Sequence, residues 1–328
     1  MYSLYKLCDR IFFRNGLFKR QGWEKIVLQE RFVQGIGMDE LKEWLVVDLL
    51  KTTTDFFVAK NVDEARISSE LLLGHVLGQS RLQLYLHHDR PVCREELDRF
   101  RTLCRQRLDG RPVQYIVKEQ FFYGLQFMVD ERVLIPRPET ELLVERALAS
   151  LAGLAGAKVL DIGTGSGCIA ITLAKLNPLL RVIAVDCSRD ALDVARLNAS
   201  KHGVESQVTF IHTDMFSEYF AATLPEAPYE LIVSNPPYIP RAEWEGLQRE
   251  VRQYEPEVAL TTLEGIECYR AIVAQAPSLL VSGGELCLEL HADGAAAVSE
   301  LMAAHGFSGI TVSKDYSDLD RIISGSVA

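Results

Sequence analysis

The stretch VLDIGTGSGCIAITLA, from Val159 to Ala174, joins an apolar β-like run to an apolar helical run through glycines at 163, 165 and 167. A glycine turn between a strand and its helix lets a ligand approach the backbone, at the edge where α/β sheets open their crevices. The pattern repeats outward from there. Strands are expected at 158–161, 181–186, 208–212, 230–234 and 285–290, most of them separated by helical segments. Such alternation predicts a parallel sheet with helices on both faces. Two late strands, near 310–312 and 321–324, would close one edge antiparallel.

Upstream, the segment from Met38 to about Leu108 is helical in period. Leu41, Trp44, Leu45 and Leu49 share one helical face, EARISSELLLGHVLG repeats the theme, and Gly78 is placed to end that helix. In REELDRFRTLCRQRLDG a stripe of Leu97, Phe100, Cys104 and Leu108 leaves Arg99, Arg101, Arg105 and Arg107 for a solvated face, or for a basic surface facing an anionic partner. Between Val113 and Ile135 the β-branched and aromatic content rises around Gly124, which predicts a hairpin bridging two domains. In IPRPETELLVERAL, Pro136 and Pro138 stiffen a helix entry, and Glu139 and Glu141 suit its first turn. The expected organisation is an extension at 1–37, a helical docking domain at 38–110, a hairpin linker at 111–136 and an α/β domain at 137–328.

Composition narrows the class. The 328 residues are 48% hydrophobic and 24% charged, with a net charge of −10. That balance fits a soluble globular protein and speaks against a whole-surface nucleic-acid binder. No uncharged apolar run reaches the ~18 residues of a membrane span. Seven scattered cysteines without a C-x-x-C pair fit reduced, mostly buried thiols in the cytoplasm, and offer no metal-ligand spacing. The first 37 residues hold seven Lys or Arg against three Asp or Glu, the rest 28 against 42. That segment lacks a signal-peptide plan and ranks as a loosely packed extension ahead of a presequence, with Met38 a second plausible start.

A dinucleotide loop would want glycine at position 168, where this chain has Cys168. The G-x-G-x-G spacing behind Asp161 resembles instead the S-adenosylmethionine loop of class I methyltransferases. A sulfonium cofactor has no pyrophosphate, and a carboxylate near its amino group would serve it better. Asp186, ending the second strand, is placed to accept from both ribose hydroxyls. Asp214 would meet the adenine amine, with Met215 and Phe216 flanking the ring. Each feature alone is weak, and their order along successive strands strengthens them together.

The fourth strand runs into LIVSNPPYIP, Leu231 to Pro240. Two prolines cannot extend a strand or enter a helix, so Asn235 is held on a stiff loop at the cofactor edge. Methyl transfer to a planar NH2 needs its lone pair freed from conjugation. The Asn235 side-chain oxygen and the Pro236 carbonyl can accept its two protons, the prolines fixing that carbonyl's direction and offering no competing donor. Tyr238 would cover the planar group. These four residues specify an sp² nitrogen and leave adenine, guanine and glutamine open.

From Met38 to Gly325 the chain resembles the HemK/PrmC class of protein-(glutamine-N5) methyltransferases. The likeness lies in EARISSELLLGHVLGQSR, GRPVQYI, RVLIPRPETELLVE, DIGTGSGCIA, SNPPYI, EPEVALTTLEGIECYR, GGELCLEL and DYSDLDRIISG. It implies a Rossmann-like, seven-stranded class I methyltransferase fold behind a small helical domain and a hairpin. It also implies methylation of the Gly-Gly-Gln glutamine of class 1 peptide chain release factors in the cytoplasm, with S-adenosylhomocysteine as product. Carried over, Asp161, Ile162, Gly163, Thr164, Gly165 and Asp186 would bind cofactor, Asn235 touching it too. Asn235, Pro236, Pro237 and Tyr238 would hold the amide, and Phe121 and Arg137 would line the pocket. No metal, membrane or stable nucleic acid is implied. The sister enzyme that methylates a large-subunit ribosomal protein typically reads PRSP where this chain has PRPET. DNA adenine and rRNA guanine methyltransferases fit the chain's acidic balance and compact helical front domain less well.

Overall fold

The computed structural model describes residues 43–328; the 1–37 extension, the start at Met38 and Leu41 lie outside them. Two compact units divide the chain between Val117 and Lys118.

The first unit is helical. Strands β1 (Trp44–Leu45) and β2 (Pro91–Val92) pair antiparallel around helices α1 (Val46–Ala59), α2 (Ala65–Leu77) and α3 (Arg81–Leu86). Helix α4 (Arg94–Leu108) and the single turn α5 (Val113–Val117) complete it. Trp44 and Leu45, expected on the first helix, form β1 instead, because β2 offers them a strand partner. Gly78 ends α2 in the left-handed conformation, as its position suggested. The arginine face of α4 is a correction. Arg99 and Arg105 are exposed, but Arg101 and Arg107 are buried. Arg107 donates to Ser68 Oγ and to the carbonyls of Asp63 and Arg111, bonds that make a buried guanidinium tolerable. One arginine of the supposed solvated face, Arg107, therefore ties this unit together from inside.

The second unit opens on a hairpin, β3 (Glu119–Phe122) and β4 (Leu125–Met128), preceded by a helical turn at 113–117 where the hairpin was expected to begin. Phe122 and Phe127 meet edge to face at 6.1 Å and belong to the core beside the sheet. The hairpin falls within the second unit, which begins at Lys118.

Helix α6 (Thr140–Ser150) leads into β5 (Lys158–Ile162), α7 (Cys168–Leu176), β6 (Arg181–Asp186), α8 (Arg189–His202), β7 (Val208–His212), α9 (Phe220–Thr223) and β8 (Tyr229–Ser234). Then follow β9 (Ile239–Pro240), α10 (Arg249–Tyr254), β10 (Thr261–Thr262), α11 (Glu267–Leu279), β11 (Leu280–Glu289), α12 (Ala295–Ala304), β12 (Phe307–Lys314) and β13 (Asp320–Val327). The seven-stranded sheet runs β12-β13-β11-β8-β5-β6-β7. Strand β13 is antiparallel to both its neighbours, so of the two late strands expected antiparallel only β13 is, and β12 runs with the other five. Side chains alternate between its two faces: Val182 and Ala184 of β6 join one core, Ile183 and Val185 the other. Burial on both sides explains why these strands read as continuous apolar runs. From β5 the chain first builds outward through β6 and β7, then returns to lay β8 on the opposite side. The carboxyl ends of β5 and β8 thus flank a topological switch point, where such sheets bind ligands.

Candidate active site

Register brings the two decisive motifs together. Ile162 pairs with Ser234 across β5 and β8, so the glycine loop and Asn235 leave neighbouring strands at the same level. Ser234 Oγ donates to the Ile162 carbonyl at 2.6 Å, tying the two strand ends.

The three glycines of the loop do different work. All have positive φ, a conformation that disfavours side chains. A Cβ on Gly163 or Gly165 would meet nothing within 4 Å, so their open side is available to a ligand. A Cβ on Gly167 would lie 2.7 Å from Ile171 Cδ1, so this glycine serves packing. The loop is held from beneath: Gly163 and Thr164 both donate to the Val185 carbonyl at 2.9 Å, and Gly165 donates to Asp186 Oδ2 at 2.9 Å. Asp186 also accepts from Ser188 N at 2.8 Å. Each of its oxygens keeps a second lone pair for a ribose hydroxyl.

Asp161 is fully buried. Its Oδ2 accepts from Thr164 Oγ1 at 2.7 Å, and its Oδ1 has no hydrogen-bond partner among the described residues. Burial pushes its carboxyl up to about 7, against the pull of the Thr164 hydroxyl and the nearby Ala170 backbone N–H. A buried orphan acceptor beside an open glycine cradle fits the ammonium of an amino-acid-bearing cofactor. Asp214 is exposed at the end of β7, and its Oδ1 accepts from Phe216 N at 2.9 Å. Met215 packs against the sheet core, whereas Phe216 stands 59% exposed.

Around Asn235 the structure adds residues that the sequence did not single out. Asn235 Nδ2 donates to Thr140 Oγ1 at 3.0 Å, and Thr140 Oγ1 donates to Glu289 Oε2 at 2.7 Å. Tyr238 OH donates to Glu289 Oε1 at 3.1 Å. The Asn235 Oδ1 is left without a partner among the described residues. Pro236 is buried, and no backbone hydrogen bond among the described residues reaches its carbonyl. Beyond the prolines, β9 pairs with β10, and Gly265 follows at φ +85°. A Cβ there would lie 2.8 Å from the Tyr238 carbonyl, so the loop can fold back only over glycine.

Residues 48–117 match the PrmC N-terminal domain family and residues 138–248 the methyltransferase small domain family. A curated release factor glutamine methyltransferase of Chlorobaculum tepidum is 58% identical over 88% of this chain and 99% of its own. One from Geobacter sulfurreducens is 41% identical over 87% of this chain and 97% of its own. The chain belongs to the release factor glutamine methyltransferase family. A crystal structure of a release-factor-specific protein-(glutamine-N5) methyltransferase from Alicyclobacillus acidocaldarius covers 59% of this chain and 94% of its own, at 31% identity and a TM-score of 0.36.

In this release factor glutamine methyltransferase chain, the remaining site expectations fall unevenly. Arg137 is one-third exposed and its guanidinium is engaged by Glu255 Oε1 at 2.5 Å; Glu255 Oε2 accepts from Ile135 N at 3.1 Å. Glu255 so locks the IPRPE turn that delivers Thr140. Phe121 stands 62% exposed on the hairpin. Asn198, unremarked in sequence, clamps Met128 through its N–H and carbonyl and donates to the Ser166 carbonyl at 2.9 Å, joining hairpin and glycine loop. A signal for Glu289 was present: a lone acid inside the apolar strand LCLEL. Its burial could have been asked about; its partners could not. The described cysteines are free, and only Cys104, Cys268 and Cys287 are buried, fewer than expected. Among the described residues, no cluster of three or more His, Cys, Asp or Glu is placed to hold a metal, and no helix is long and apolar enough to cross a membrane.

Proposed function

We propose that this chain methylates the side-chain amide nitrogen of the glutamine in the Gly-Gly-Gln loop of a class 1 peptide chain release factor, in the cytoplasm. S-adenosylmethionine, when bound, supplies an electrophilic methyl group on a sulfonium sulfur. Asp161 Oδ1 would face its ammonium, Asp186 its ribose hydroxyls, and Gly163 and Gly165 would admit it against the backbone. Asp214, Met215 and Phe216 are assigned to the adenine end. Asn235 Oδ1 and the Pro236 carbonyl accept hydrogen bonds from the two N–H groups of the target amide, drawing the nitrogen's lone pair out of conjugation and holding it for attack. The alkylated nitrogen then sheds a proton to water, so no strong base is needed. Tyr238 covers the amide plane, and Phe121 and Arg137 are assigned to the substrate's approach.

The observation that supports this reading most is the orientation of the Asn235 amide, NH2 turned to Thr140 and oxygen left open, as a side chain must stand to accept from a substrate amide. With methyl-labelled cofactor, release factor, ribosomal protein and DNA offered together, label is expected on the release factor. Peptide mapping should place it on the target glutamine, and substituting that glutamine should abolish it. Equal labelling of the substituted release factor, or label on the ribosomal protein alone, would reject the assignment.

A further inference from the structure

We propose that Glu289 is a positioning residue for methyl transfer: through Thr140 it dictates which end of the Asn235 amide meets the substrate, and with its other oxygen it holds Tyr238. This rests on the reading of Asn235 as the amide acceptor.

Glu289 is 1% exposed at the end of β11, and Leu288 pairs with Ser234, so Glu289 and Asn235, each the next residue, leave neighbouring parallel strands at the same level. A carboxylate only accepts, so the single Thr140 proton points to Glu289. Thr140 Oγ1 is left with lone pairs alone for Asn235, which must present its NH2. Oδ1 is thereby turned outward. Tyr238 is bound by the same logic, since burial and the neighbouring Glu289 hold its hydroxyl in the protonated, donating form.

A proton on Glu289 would undo this. The acid could donate to Thr140, whose own proton would then turn to Asn235 and favour the opposite amide orientation. Burial pushes the Glu289 carboxyl up to about 7, the Thr140 and Tyr238 hydroxyls pulling it down. Arg321 on β13 lowers it further and Glu139 at the start of α6 raises it. Tyr269 of α11 donates to the Glu289 backbone carbonyl at 2.9 Å. His291 lies against the Tyr238 ring at 6.0 Å, its Nε2 3.4 Å from Glu243. Turnover at saturating substrates is therefore expected to fall as pH drops through about 7, towards tenfold per unit.

Thr140→Val, Thr140→Ser and Glu289→Gln test this with the full chain, reading kcat, KM for the methyl acceptor, cofactor Kd by calorimetry, and the pH profile. Thr140→Val is expected to lose at least ~10-fold in kcat with cofactor Kd within ~2-fold, while Thr140→Ser, which keeps the hydroxyl, recovers most of it. Glu289→Gln should lose the acidic limb of the profile. Wild-type kcat that stays flat from pH 6 to 8, Thr140→Val turning over like wild type, or Thr140→Ser as impaired as Thr140→Val would each overturn the proposal. The wild-type profile needs no substitution, so a variant that fails to fold leaves the test intact. Were a different acceptor methylated instead of the release factor, the substrate assignment would fall and the valine–serine contrast would still be read on that acceptor.

Discussion

Asp161 and Glu289 sit at the carboxyl ends of two strands of one sheet, both almost wholly buried and both pushed up to about 7 by that burial. They differ in what meets their oxygens. Glu289 has a hydroxyl on each, whereas Asp161 has Thr164 on one and, among the described residues, no hydrogen bond on the other. Burial is thus put to opposite use. On the proposed reading the unsatisfied carboxylate would be a socket for a charge arriving from outside, and the satisfied one a fixed frame for its neighbours. The first should govern affinity, the second turnover.

The sharpest way to break that division is Asn235→Ala. It should lower kcat by ~10²-fold, as loss of a transition-state acceptor does, with calorimetric cofactor affinity nearly intact. Collapse of cofactor binding would move Asn235 to the other side of the division. Asp161→Asn should do the reverse: cofactor Kd rises ~10- to 100-fold, as for a buried charge-assisted hydrogen bond, while kcat at saturating cofactor changes little. A kcat loss exceeding the Kd loss would count against it. A milder effect follows from protonation. Because the Asp161 carboxyl is raised above the ordinary carboxylate range, it is largely protonated below about pH 7 in the free enzyme. Cofactor affinity measured by titration should therefore weaken as pH falls from 8 to 6, by at most ~10-fold per unit, and Asp161→Asn should flatten that dependence. The smallest change expected is for Gly265→Ala. Its Cβ would press on the Tyr238 carbonyl at a φ that disfavours side chains, so turnover should drop roughly several-fold with cofactor Kd unmoved. Unchanged turnover would mean that the loop has room to shift.

Much of the fold was legible in the chain because its signals are local. The strand–glycine–helix junction at 159–174 and the alternation after Gly156 correspond to elements that form where they were expected. Where local signals compete, the reading slipped. Trp44 and Leu45 have helical spacing, yet pair with Pro91 and Val92 far along the chain. Arg101 and Arg107 read as solvated by charge alone, but the hydrogen bonds that bury Arg107 come from Asp63, Ser68 and Arg111. In the hairpin, the aromatics announce strands without saying which core they enter.

By itself the sequence determined the residue types at the two loops: glycines where backbone must lie bare, prolines where a carbonyl must be aimed, an asparagine between strand and turn. Those are constraints on one residue and its immediate neighbours, and they are written in order along the chain. Only the tertiary structure decided that Asp161 keeps an open oxygen, that Gly167 serves packing, and that Thr140 and Glu289 orient Asn235 from 95 and 54 positions away. Strand register assembles such contacts between segments remote in sequence, and hydrogen-bond direction depends on which partners that register delivers.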